Sequence, residues 1–238
     1  MGTLAIFGYG PGLGAGTAQV FGRNGFRIAA VGRNADTAAE RVTRLRADGI
    51  EAESFTADIT DPAQLSEVIV RIEQQLGPID VAVHAAAAGI SVRSESTRAV
   101  DRAALEVPFA LKVYSSIQLA RELLPGMLAR GRGALLFSSG ASEANTQPYL
   151  ANMGVALGAQ RAYVRQLAAE LDGTGLYAGL LAIGALIENS AVQHQVDAHP
   201  ELIPAGMVLP RIGNAELGAE YWRMYTERDT VEVEIGFS

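Results

Sequence analysis

Short, almost unbroken apolar runs alternate along this chain with longer stretches in which apolar side chains return every three or four positions. Thr3–Phe7, Phe26–Val31, Glu51–Thr56, Ile79–His84, Ala134–Phe137 and Leu176–Ala182 have the hydrophobicity of strands covered on both faces. Thr230–Ile235 differs, because Val and Ile alternate there with Glu, the period of an edge strand. The stretches between them, Gly14–Asn24, Ala35–Asp48, Pro62–Leu76, Asp101–Ala129, Tyr149–Leu171 and Ala215–Thr226, predict helices. Asp61-Pro62 is a cap followed by proline at the first helical position, and Gly25, Gly49 and Gly77 stand where helices should stop. Strand–helix alternation with such short connections predicts βαβ units, hence an α/β fold on a mostly parallel sheet of seven strands. No repeat or linker interrupts the pattern, so residues 1–238 are expected to form one domain.

Composition removes several classes of function. About half the chain is apolar, yet no run is long enough for a membrane span, and no basic segment with a cleavage site opens the chain as a targeting peptide would. Cysteine is absent, which excludes disulfides and thiolate metal sites and fits a reducing cytoplasm. A net charge of −7 argues against nucleic acid or an anionic membrane as partner. Of the 19 lysine and arginine residues only Lys112 is a lysine.

Glu188–Pro210 breaks the alternation. It is long, carries Pro200, Pro204 and Pro210, and on this topology overhangs the carboxyl end of the sheet, where open α/β folds bind ligands. Near the start of the chain, "AIFGYGPGLGAG" sets Gly8, Gly12, Leu13 and Gly14 between the first strand and the first helix. Glycine lets the backbone turn tightly there and approach a pyrophosphate, and the helix N-terminus presents free N–H groups to it. The second strand runs into Gly32, Arg33 and Asn34, where an NAD-preferring dinucleotide fold places an acid for the ribose 2′-hydroxyl. Arg33 instead suits a 2′-phosphate, so NADP is expected over NAD. The sheet is accordingly expected to be Rossmann-like and doubly wound.

These residues resemble the short-chain dehydrogenase/reductase family, and the resemblance spans almost the whole chain. Gly8, Gly12 and Gly14 match its cofactor turn. "ADIT" (Ala57–Thr60) matches the acidic–apolar pair after the third strand, which assigns Asp58 and Ile59 to the adenine. "IDVAVHAAAAG" matches the fourth strand and its turn, with His84 and Ala85 beside the cofactor. "GALLFSSGAS" matches the fifth strand with the family's catalytic serine at Ser139, Ser138 and Ser142 being close rivals. Tyr149 opens the helix that carries the family's tyrosine, and "GLYAGLLAIGALIE", with Gly184, matches the strand and turn near the nicotinamide. The resemblance implies hydride transfer between NADPH and a carbonyl or alcohol, with the tyrosine moving the proton and the serine holding the substrate oxygen. It also implies a homodimer or homotetramer, with which the edge-like "VEVEI" is compatible. The apolar residues of the 188–210 loop imply a small, partly apolar carbonyl or alcohol as substrate.

The chain departs from the family where protons are moved. The Asn-Asn-Ala-Gly turn is His84-Ala85-Ala86-Ala87, with Gly89 beyond it; the Pro-Gly pair after the sixth strand is Ile183-Gly184; the threonine that often holds the carboxamide aligns with Glu188. The interval from Ser139 to Tyr149 is a few residues short of the family's spacing. The lysine one turn beyond the tyrosine, which in the family binds the nicotinamide ribose and lowers the tyrosine pKa, is Met153. A free phenol, with a pKa of about 10, is a poor base at neutral pH, and a thioether cannot replace an ammonium. In the family a long-helix asparagine that faces the tyrosine precedes the helix-ending proline by the interval that here separates Lys112 from Pro125. Lys112 is therefore expected to reach in from the neighbouring helix and restore the cation. The alternative is a catalytically silent NADP-binding sensor or scaffold on the same fold. His84 reads best as a packed histidine, and His194 and His199 have no ligand-like companions, so no metal site is expected.

Overall fold

A computed structural model of the protein describes residues 1–87, 92–140, 146–202 and 209–236. The apolar runs form strands β1 (Thr3–Phe7), β2 (Arg27–Gly32), β3 (Ala52–Thr56), β4 (Ile79–His84), β5 (Gly133–Gly140) and β6 (Leu176–Ile183). Two short strands, β7 (Leu186–Ile187) and β8 (Arg211–Ile212), pair with each other, and the alternating run near the end forms β9 (Glu232–Ile235). Seven strands make one sheet in the order β3-β2-β1-β4-β5-β6-β9, every neighbouring pair parallel. β9 lies at the edge, as its half-polar pattern requires.

Helices cover both faces. On one side α1 (Leu13–Arg23), α2 (Ala35–Ala47) and α8 (Asn214–Glu227) bury Phe21, Val42, Leu45, Leu217 and Tyr221 against Leu4, Ile6, Ile28 and Leu136. On the other, α3 (Pro62–Leu76), α5 (Ser115–Arg130) and α6 (Ala151–Glu170) bury Leu65, Ile72, Leu119, Met127 and Val164 against Ala5, Phe7, Leu135 and Phe137. Successive strand residues thus feed opposite layers, which is why these runs are apolar at every position. The side chain of Asp61 accepts from the N–H groups of Ala63 and Gln64, and Gly25, Gly49 and Gly77 take φ of +86°, +78° and +77° just past their helices. Where α1 crosses α8, a Cβ on Gly16 would collide with the backbone of Asn214, and one on Gly218 with the backbone of Gly16.

Three predicted elements differ from the sequence pattern. The stretch Asp101–Ala129 is not one helix: α4 (Arg102–Phe109) widens into a π-helical turn, Ala110–Tyr114, before α5 begins. Pro125 does not end α5, which runs on until Gly131 leaves it at φ +63°. The last long helix starts at Ala151 rather than Tyr149, because Leu150 has a non-helical backbone and Pro148–Leu150 forms a separate 3-10 turn. Within the predicted loop 188–210, Ser190 caps a two-turn helix, α7 (Ala191–Ala198), and the β7–β8 pair pins the two ends together. Gly89, Ser142 and Pro204 lie outside the described residues. No helix among the described residues is long and apolar enough to cross a membrane.

Candidate active site

The strand order reverses its direction of travel between β1 and β4, and a crevice opens there at the carboxyl ends of the strands. It consists of two cavities of about 620 and 460 Å³ that share Gly8, Arg33 and Ala87 in their walls. The outer one lies over the ends of β2 and β3; the inner one is bounded by β5, α6 and α7.

The glycine turn forms the floor between them. Gly8 has φ +88°, and a Cβ there would stand 2.6 Å from the backbone of Ala86. A Cβ on Gly12 would press at 3.0 Å on Ile187 and Ser190, so the segment that follows β6 is seated directly on the turn. The N–H groups of Leu13 and Gly14 have no acceptor among the described residues. A tight turn, uncapped amides and a partial positive helix end make a cradle that fits a pyrophosphate.

The outer cavity is lined by Gly32, Arg33, Asn34, Thr37, Asp58, Ile59 and Thr60. Asp58 is held by its own turn: one carboxylate oxygen accepts from the N–H and hydroxyl of Thr60, and its backbone N–H donates to Gln64 Oε1 at 3.0 Å. Asn34 faces the cavity but its side chain is engaged as the cap of α2, accepting from Thr37 N–H at 2.9 Å. Arg41, which the sequence did not single out, enters the same wall from α2 and donates to the carbonyl of Tyr9 at 3.2 Å. Arg33 and Arg41 give this end two guanidinium groups, a donor set that fits a phosphate ester on the ribose.

The inner cavity joins Gly12, Leu13 and Gly14 to Lys112, Ser138, Ser139, Met153 and Leu157, with Ile183, Ala185, Ile187 and Val192 as apolar walls. Ser139 is only 6% exposed, and its buried Oγ has no hydrogen-bond partner among the described residues. Lys112 comes from the π-helical turn and is 4% exposed; its Nζ donates to the carbonyl of Ser138 at 3.0 Å and to Ser138 Oγ at 3.4 Å. Burial pushes this amine down from its usual range to about 8.

Several predicted residues stand elsewhere. His84 lines neither cavity: its ring is buried beside Phe137, and Nε2 lies 2.8 Å from Ser115 Oγ. That hydroxyl donates to the Leu111 carbonyl, so the imidazole must donate through Nε2, which leaves Nδ1 bare. Burial first, and then the charge of Lys112, push His84 down to about 3, so it is neutral at ordinary pH. Gly184 spends its N–H on the carbonyl of Ile235, while its neighbours Ile183 and Ala185 line the cavity instead. Tyr149, in the 3-10 turn, is 37% exposed, donates to Gln147 Oε1 at 3.3 Å, and is not in the wall of either cavity. The segment before α4 is tied to this region by Asn152, which accepts from Glu95 N–H and donates to the carbonyl of Arg93. Among the described residues no cluster of His, Asp and Glu is arranged to hold a metal ion.

Comparison with known proteins shows the family and the fold. The family model described as enoyl-(acyl carrier protein) reductase matches residues 8–202, and the chain belongs to the short-chain dehydrogenase/reductase family, whose members are NAD(P)-dependent oxidoreductases. It is similar to 2,3-dihydro-2,3-dihydroxybenzoate dehydrogenase of Bacillus subtilis, 30% identical over 55% of this chain and 49% of that one, so it spans about half the length of that relative. It is 27% identical to 2-(S)-hydroxypropyl-CoM dehydrogenase 3 of Xanthobacter autotrophicus over 84% of this chain and 78% of that one. Its fold is that of a gluconate 5-dehydrogenase from Burkholderia cenocepacia, solved with NADP and tartrate: the TM-score is 0.83 at 21% identity, covering 98% of this chain and 93% of that one.

Proposed function

We propose that this protein uses NADPH to reduce a small, uncharged and partly apolar carbonyl compound. The observation that carries the reading is the inner cavity itself, whose wall joins the glycine turn, with its free amides, to Ser139 at the end of β5 between apolar side chains. Leu13 and Gly14 would hold the pyrophosphate, Asp58 and Ile59 the adenine, and Arg33 with Arg41 the 2′-phosphate. The dehydrogenase relatives and the NADP-bound structural neighbour support the use of NADP. A bound NADPH supplies a hydride. Ser139 orients the carbonyl oxygen through its free hydroxyl, and Met153, Leu157, Ile187 and Val192 exclude water from the reacting carbon.

In the family's scheme the proton would pass from Tyr149, tuned by a nearby cation. Lys112 makes its hydrogen bonds to Ser138 rather than to that phenol, so the expected electrostatic rescue of the tyrosine is not the contact that forms. The test of the overall reading is direct. NADPH and NADH are titrated by nicotinamide fluorescence, and NADPH oxidation is then followed with a panel of aliphatic and alicyclic ketones and aldehydes. Tighter binding of NADPH, by about tenfold or more, and turnover of apolar ketones are expected. Tight binding with no turnover on the panel would make the chain a nucleotide holder.

A further inference from the structure

We infer that Lys112 itself is the proton donor of this site, delivering a proton to the oxygen that Ser139 holds. The inference rests on the carbonyl-reductase reading above and changes which residue carries its acid.

The π-helical turn adds a residue to the helix between α4 and α5, and such bulges re-aim side chains. Here the turn delivers the amine to the end of β5, where two of its three hydrogens go to the carbonyl and hydroxyl of Ser138. The third has no acceptor among the described residues. Ser139 lines the same cavity, and its buried Oγ has no partner among the described residues. Two unspent donors on residues of one cavity wall are the groups available to a single oxygen that gains charge as it is reduced.

The described groups around the amine are His84 from β4, Ser138 and Ser139 from β5, and Met153 and Leu157 from α6, with Ala191 and Val192 from α7 across the cavity. None is a carboxylate, and His84 is neutral. Among the described residues, Arg33 is the other charged one in the wall, next to the glycine turn. An ammonium buried with no counter-anion among the described residues gives up its proton far more readily than a phenol. A bound NADPH would supply a hydride to the carbonyl carbon, and the carbon–oxygen π pair would then take the proton of Lys112. Products are the alcohol, the oxidised nicotinamide and a neutral amine, which regains a proton from water once the alcohol leaves.

Because Lys112 is the only lysine, labelling with lysine carrying ¹³C at Cε gives one side-chain resonance that needs no assignment. It is expected to titrate near pH 8 in the full chain, and to move when cyclohexanone is added to the protein saturated with NADP. A midpoint above about 10, the range of a solvated amine, or a resonance indifferent to the ketone, overturns the inference. Lys112→Arg and Lys112→Met supply the kinetic arm, with thermal melts to confirm folding. Arginine keeps the charge but holds its proton, so both variants should lose ~10²-fold or more in kcat while NADPH affinity stays within a few-fold. In the unmodified protein kcat for reduction should fall about tenfold per pH unit above the amine's midpoint. Full activity in Lys112→Arg, or a flat profile to pH about 9, would show that charge alone is used. Failure of the unmodified chain to bind NADPH sinks the carbonyl-reductase reading, and the resonance then still reports the amine independently.

Discussion

The two ends of the crevice are built on different physical terms. At the outer end the contacts come from backbone geometry and exposed charge: a glycine turn, the caps of α2 and α3, and Arg33 and Arg41 at the rim. At the inner end they come from buried side chains, Lys112, Ser138, Ser139 and Met153. The outer end carries the glycine turn and Arg33, whereas the inner end has Met153 on α6 and its amine, Lys112, on the π-helical turn. A backbone cradle cannot be rebuilt by one substitution. A buried charge can be moved to another helix, provided its long stem reaches the same space.

Substitutions can break this comparison, and the largest effect should come from the cradle. Gly8→Val forces a β-branched residue into φ +88° and drives Cβ onto the Ala86 backbone. NADPH affinity should drop more than ~100-fold and stability by about 3 kcal/mol, seen in fluorescence titration and urea unfolding. Near-normal binding would show that the outer end does not depend on the turn.

Lys112→Met should move activity and stability in opposite directions. The buried amine's fall from 10.5 to about 8 measures how much folding disfavours its charge. Replacing it with an apolar side chain of similar length should therefore stabilise the protein at pH 7 by about 3 kcal/mol while removing turnover. The sign with pH follows. Below pH 8 the amine is charged in both states and burial is penalised in full; between 8 and 10.5 the folded chain alone has released the proton, so stability climbs with pH. Chemical unfolding at pH 7.5 and pH about 10 should show that climb in the parent and not in the variant.

Smaller effects sharpen the outer end. Arg33→Ala should weaken NADPH about 10–100-fold and leave NADH almost unchanged, and Arg41→Ala should do the same more weakly because Arg41 also serves the Tyr9 carbonyl. Equal losses for both cofactors would remove the 2′-phosphate assignment. Asn34→Ala should cost about 1 kcal/mol in thermal stability through the lost cap, with cofactor affinity within a few-fold, since its side chain already bonds to Thr37.

The outer half was legible in the sequence because its signals are local. Glycines at fixed offsets, an Asp-Pro cap and runs covered on both faces each act within a few residues, and the parallel sheet and Arg33 follow from them. The inner half depends on contacts between distant segments. Nothing near Lys112 announces a π-helical turn, since one inserted residue barely disturbs the apolar period, and its partner at Ser138 is 26 positions away. Arg41 was invisible for a different reason, as one arginine among many on a helix whose exposed face is expected to carry them. Tyr149 was placed at a helix start by pattern, whereas a 3-10 turn holds it and the long helix begins two residues later.

The contact between Gly16 and Gly218 reaches further than packing. With no side chains between them, α1 and α8 are pressed together as a rigid pair, and α1 begins at the cradle while α8 leads directly to the edge strand β9. The final segment of the chain is thus a buttress behind the nucleotide seat. Shortening the protein from its C-terminal side would be felt first as a loosened grip on the dinucleotide, well before the central strands came apart.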